Sequence, residues 1–127
     1  MIREAPCVGV VEDDAEVRVA LGRLLRIAGY EVATFESGVE LLAARGARMP
    51  DCLVVDVHLP GMSGFEMQAR LRAEGFDPPT VFISGGEDPG LAERVREVGG
   101  VRLLHKPFSN AALIEAVVAA LARARAS

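Results

Sequence analysis

Five short, β-branched apolar runs each lead into a stretch with apolar residues at helical spacing, and this alternation constrains the fold more than any other feature of the chain. The run Cys7–Val11 ends in Glu12, Asp13 and Asp14, then gives way to Val17, Ala20, Leu21, Leu24, Leu25 and Ala28, a helical repeat stopped by Gly29. Residues 30–35 predict a second strand, and Ser37-Gly-Val-Glu40 has the capping-box pattern before Val39, Leu42 and Ala43. The third strand centres on Leu53, Val54 and Val55. A second capping box, Ser63-Gly-Phe-Glu66, starts a helix with Phe65, Ala69 and Ala73 at i, i+4 spacing and Met67 and Leu71 as a second pair, running to about Glu74 or Gly75. Residues 79–84 predict strand four. Asp88-Pro89 then supplies a cap and a first-turn proline before Leu91, Val95 and Val98, and Gly99-Gly100 ends that helix. Residues 101–105 predict strand five. Ser109 caps a last helix whose Leu113, Ala116, Val117, Ala120 and Leu121 form a core face and whose Arg123 and Arg125 suit its C-terminal dipole.

Alternating strands and helices require a parallel sheet with right-handed crossovers, hence an α/β three-layer sandwich rather than an eight-unit barrel. The 127 residues predict one domain, 1–127, without linker, repeat or low-complexity segment, and half of them are apolar, enough for a core without disulfides or metal staples. The net charge of −4 and the lack of a basic run argue against direct nucleic-acid binding. No stretch approaches the roughly 18 apolar residues of a membrane span, and the first apolar run is too short for a signal sequence, so a soluble cytoplasmic protein is expected. Cys7 and Cys52 begin strands, without metal-ligand spacing, and read as reduced core residues.

A lone carboxylate in a buried strand costs several kcal/mol unless compensated, so Asp56 either caps a turn or stands at the strand end for chemistry. In open parallel sheets, sites lie beyond the carboxyl ends of the strands. Reading only those ends yields Glu12 and Asp13, Asp56, Ser84 and Lys106. Two carboxylates about 4 Å apart repel by roughly 4 kcal/mol at an effective dielectric of about 20, a difficulty that a divalent cation removes. Hard oxygen donors without a His or Cys cluster point to Mg²⁺, and the remaining acid can act as a nucleophile toward a phosphoryl group. A metal, a lysine and a hydroxyl suit the charge of phosphoryl transfer, which makes Asp56 a phosphoacceptor. Asp14 reads as the cap of the first helix, and His58 and His105 as packing or surface residues.

In this combination, VVEDD, VVDVHLPGMSG, FISGG and HKPF, the chain resembles the receiver domain of bacterial two-component response regulators over essentially its whole length, and most of all the receivers of nitrogen-fixation-type transcriptional regulators. The resemblance implies a flavodoxin-like five-stranded sheet of order 2-1-3-4-5 flanked by five helices. It implies Asp56 as the phosphorylated residue, Glu12 and Asp13 as the acidic pair, and Asp13, Asp56 and the His58 carbonyl as Mg²⁺ ligands. Ser84 matches the switch hydroxyl, Lys106 the phosphate-binding lysine, and Lys106-Pro107 a cis peptide. Implied partners are a histidine kinase or histidine phosphotransfer protein and an output domain or effector. A receiver of this kind catalyses only its own modification and slow hydrolysis and is not an enzyme in the usual sense.

Three positions depart from the family pattern. Glu12 replaces an aspartate and Ser84 a threonine, each keeping its functional group, while Leu103 stands where an aromatic residue usually follows the switch hydroxyl. With Gly85-Gly86 after Ser84, the expectation is that phosphorylation moves this loop and the fourth helix without an aromatic swing. A pseudo-receiver, binding partners independently of phosphorylation, is the alternative. An aspartyl-phosphate phosphatase of the haloacid dehalogenase type would want an acid where His58 stands, and a flavin mononucleotide site would not tolerate EDDAE without a metal. Ile114 and Val118 widen the apolar stripe of the last helix, which either packs on the flank or forms a homodimer or partner surface. The chain is expected to be a stand-alone receiver or the receiver piece of a longer regulator.

Overall fold

The structure, a computed structural model, describes residues 5–44 and 49–126. Residues 1–4 of the stretch read for a signal sequence lie outside it. The elements run β1 (Cys7–Val11), α1 (Ala15–Ile27), β2 (Glu31–Phe35), α2 (Gly38–Ala43), β3 (Cys52–Asp56), α3 (Gly64–Ala73), β4 (Thr80–Ser84), α4 (Leu91–Glu97), β5 (Arg102–His105) and α5 (Asn110–Ala126). All strand pairs are parallel, in the order β2-β1-β3-β4-β5. Both the architecture and the order match the expectation.

β3 and β4 are buried at every position, as befits inner strands covered on both faces, whereas the edge strands β2 and β5 are half-exposed. One core cluster lies on the α1/α5 side, around Val8, Val10, Leu25, Val54, Ile83, Leu113 and Val117. The other, around Val11, Leu41, Leu53, Val55, Met67, Leu71 and Phe82, lies beneath α2, α3 and α4. The five residues predicted as the core face of α5 are all buried. Ile114 packs partly against the core and Val118 is 52% exposed. Among the described residues no helix is long and apolar enough to cross a membrane.

Several local expectations need correction. In α2 it is Leu41 that enters the core, while Val39 is 61% exposed and Ala43 is exposed. In α1, Leu21 and Leu25 are buried with Gly22, whereas Ala20 and Ala28 face solvent. In α3 the buried face is Gly64, Met67, Gln68 and Leu71 with Phe65, while Ala69 and Ala73 are exposed. An alanine fits either face, so spacing alone could not assign these positions. The capping hydroxyls of Ser37 and Ser63 accept as expected, each at 3.1 Å, but Glu40 accepts from Glu36 N–H, one residue upstream of the expected partner, and Glu66 pairs with Arg70.

α4 departs most. Its N-cap is Gly90, at φ +83° and without a side-chain cap, and Asp88 contributes its carbonyl to Leu91 N–H. The helix is only 7 residues long. Its C-terminal end is instead held from outside: Arg72 of α3 donates to the Val98 carbonyl, and Arg123 of α5 to the Gly99 carbonyl at 2.8 Å. Arg123 thus serves the end of α4 rather than that of its own helix. Midway along α4, the Arg94 guanidinium lies 4.4 Å from the ring centroid of Phe65, which is itself 4.8 Å from that of Phe82.

Candidate functional site

The central strands β1 and β3 are neighbours, and the chain departs from them toward opposite edges of the sheet, the switch-point arrangement that opens a crevice beyond their carboxyl ends. Val11 pairs with Val55, so Glu12 emerges beside Asp56. β4 brings Ser84 and β5 brings Lys106 to the same edge, where Lys106 N–H donates to the Ser84 carbonyl at 2.8 Å. The β3–α3 loop is folded tightly against this edge. Gly64 N–H donates to the Val57 carbonyl, and a Cβ on Gly64 would lie 2.8 Å from the Asp56 carbonyl oxygen and from Val55.

Carboxylate oxygens of Glu12, Asp13 and Asp56 lie within 4.8 Å of one another. Glu12 is 1% exposed and Asp56 6%, whereas Asp13 faces solvent. Lys106 Nζ bridges the two buried acids, 3.0 Å from Asp56 Oδ2 and 3.1 and 3.3 Å from Glu12 Oε1 and Oε2. The other Asp56 oxygen, Oδ1, accepts the His58 N–H at 2.8 Å. His58 therefore reaches the site through its backbone, with its side chain exposed. The Lys106-Pro107 peptide is cis, as the resemblance implied.

Ser84 is fully buried, and its hydroxyl donates to the Gly86 carbonyl (3.2 Å) and accepts the Gly86 N–H (3.3 Å). It is engaged with its own loop rather than with Asp56. Leu103 pairs with Phe82 across β4 and β5 and packs, partly buried, against the cluster beneath α4. Beside Lys106 an open cleft of about 720 Å³ is lined by residues 85–89 and His105.

Burial pushes the Glu12 carboxyl up to about 7, and its hydrogen bond with Asp56 and repulsion from that carboxylate add to the rise, against the opposing Lys106. Burial also acts to raise Asp56. The hydrogen bonds from Glu12, His58 N–H and Lys106, with the ammonium charge, outweigh it and hold Asp56 below the usual carboxylate range. For Lys106, burial opposes the charge, but bonding to both acids holds the ammonium above its ordinary value. The site thus prefers one ionised acid, one that ionises near neutrality, and a fixed cation.

All five residues predicted at strand ends meet at this edge. Two signals went unread. The chain has 14 basic side chains, of which Lys106 is the single lysine. Arg18 lies in the first turn of α1, where the helix dipole disfavours a cation, yet its guanidinium turns back to the Glu12 and Asp13 carbonyls.

A family model described as the response regulator receiver domain matches residues 8–118. The chain belongs to that family. Nodulation protein W of Bradyrhizobium diazoefficiens is 42% identical over 116 residues, covering 91% of this chain and 51% of that protein. The transcriptional regulatory protein FixJ of Azorhizobium caulinodans is 37% identical over 116 residues, covering 91% and 55%. Among solved structures, the N-terminal part of FixJ superposes with a TM-score of 0.85 at 29% identity, covering 94% of this chain and 96% of that one. A receiver protein from Burkholderia phymatum gives 0.82 at 40% identity, covering 92% and 95%. The chain spans about half the length of the curated relatives it matches. It is therefore a receiver domain of the two-component response regulators, as its motifs implied.

Proposed function

We propose that residues 1–127 form a single receiver domain in which Asp56 accepts a phosphoryl group from a histidine kinase or histidine phosphotransfer protein. The observation that carries this reading is the contact of Lys106 Nζ with Asp56 Oδ2 at 3.0 Å, inside a cluster of three carboxylates at the switch point of the sheet. A carboxylate oxygen of Asp56 attacks phosphorus, and the new O–P bond forms as the donor's N–P bond breaks, the electron pair and a proton going to the imidazole nitrogen. The depressed pKa of Asp56 keeps the attacking group ionised. In this reading Lys106, which already contacts Asp56, would donate to the transferred group, and Ser84 would do so once its hydroxyl leaves Gly86.

The donor set fits Mg²⁺: hard carboxylate oxygens, close together, with Asp13 open to solvent. Glu12, Asp13, Asp56 and the His58 carbonyl would hold it. When bound, the ion neutralises charge on the transferring phosphoryl oxygens. Release of Ser84 from its loop would alter the surface formed by the β4–α4 loop and α4 that is presented to an output domain or effector, with the exposed Val118 face of α5 as a contact for a second copy. The domain would catalyse only its own phosphorylation and slow hydrolysis, in the cytoplasm. Nodulation protein W and FixJ are about twice as long as the matched region, and transcriptional regulation of the kind FixJ's name states would be exercised through an output domain rather than by this acidic module. Retention of every reacting group favours this reading over the pseudo-receiver.

Phosphorus NMR with acetyl phosphate as donor provides the test. An acyl-phosphate resonance on the protein should grow with Mg²⁺ and vanish with a chelator or in Asp13→Ala. Growth that is indifferent to both would contradict the assignment of the acidic cluster.

A further inference from the structure

Arg18 connects the end of β2 to the loop that carries two of the three acids. Its Nη1 donates to the Glu12 carbonyl at 2.8 Å and, at longer range, to the Asp13 carbonyl at 3.4 Å, while Nη2 lies 3.4 Å from Glu36 Oε1. The side chain is 14% exposed, against 69% for its partner Glu36. Glu12 is held through both of its backbone polar groups, because its N–H donates to the Phe35 carbonyl at 3.0 Å. One residue beyond Asp13, the Asp14 carboxylate caps α1 through Glu16 N–H and Val17 N–H. Asp13 is thus suspended between two fixed residues, and its carbonyl turns toward the same guanidinium. A planar fork of five donors can hold two carbonyls and a carboxylate at once, which a single ammonium cannot do with the same directions.

We propose that Arg18 is a positioning residue for the acidic loop: by holding the Glu12 and Asp13 carbonyls, it fixes the direction in which Asp13 offers its carboxylate to a divalent cation. This rests on the reading that the acidic cluster binds Mg²⁺. Charge and geometry here act with opposite signs. As a nearby positive charge, Arg18 repels a cation, so if Coulomb interaction alone mattered its removal would tighten binding. As an orienting group it resembles the outer partners of metal ligands, whose loss typically weakens binding about 10–100-fold. A residue that merely supported the fold would lower the melting temperature and leave the affinity of the folded protein unchanged.

The test is Mg²⁺ titration of the 127-residue protein, followed through amide resonances, for wild type, Arg18→Met, Arg18→Lys and Glu36→Gln, each with its thermal midpoint. Arg18→Met should weaken Mg²⁺ binding by about tenfold or more. Arg18→Lys, which keeps the charge and loses the fork, should also bind more weakly than wild type. Without metal, the amide resonances of Asp13 and Asp14 should already move in Arg18→Met. Affinity equal to or tighter than that of wild type in Arg18→Met would overturn the proposal. Should that variant not fold, equal affinity in Arg18→Lys would do so. A wild type that binds no Mg²⁺ would overturn the cluster's assignment and the proposal together, whereas binding in wild type unchanged in all three variants would overturn only the role of Arg18.

Discussion

At the scale of single residues, the site is a balance between burial and charge. Glu12 has its pKa raised from 4.5 to about 7, so the folded protein binds more protons than the unfolded chain between those values. Its contribution to metal-free stability therefore falls as pH rises through that window. Asp56 acts oppositely: its lowered pKa adds stability above the ordinary carboxylate range, which is lost as pH falls through the folded value. In the metal-free protein Glu12→Gln should accordingly gain stability relative to wild type between pH 5 and pH 8. Denaturant midpoints of both proteins at the two pH values check this, and a gap independent of pH would contradict it. The site residues were legible because each stands at the end of an apolar run, where a charged or hydroxyl side chain is conspicuous. The partner of Ser84 was not, because a hydroxyl can turn to its own loop as readily as to a neighbouring strand.

Elements fix how that site is framed and how it can signal. The close approach of α3 to the end of β3 leaves no room for a side chain at Gly64. Gly64→Ala should destabilise the fold by about 1–3 kcal/mol, measured by chemical denaturation, because the clashing atom at 2.8 Å is backbone. A cost near zero would mean that the loop is free to shift. α4 starts at a glycine without a side-chain cap, and its C-terminal end is held by arginines of α3 and α5. With Leu103 at the usual aromatic position, phosphorylation should act through the Ser84–Gly86 loop and the start of α4. Amide shifts in residues 84 to 98 should change on phosphorylation, and unchanged shifts there would contradict this route. The α4 start was misread in the sequence because Asp88-Pro89 is an ordinary helix-opening pair, and only the αL conformation of Gly90 moves the start beyond it.

At the scale of the whole molecule, hydrophobic alternation dictated the parallel sheet, since strands buried on both faces must be apolar throughout and the helices need one apolar face each. The strand order was not contained in that pattern. It came with the family motifs, and the sheet bears it out. The order matters for function because it sets β1 beside β3 and so brings Glu12 and Asp13 to Asp56, while β4 and β5 carry Ser84 and Lys106 to the same edge. The acidic edge gathers three carboxylates, two of them bonded to the one lysine, an arrangement that fits the proposed acceptance of a phosphoryl group. The intact mass of wild type and Asp56→Asn after incubation with Mg²⁺ and acetyl phosphate tests this most directly. A gain of about 80 Da, one phosphoryl group, in wild type alone and reversed by hydroxylamine is the predicted result. The same gain in Asp56→Asn, or none in wild type with either acetyl phosphate or a cognate kinase, would contradict Asp56 as the acceptor.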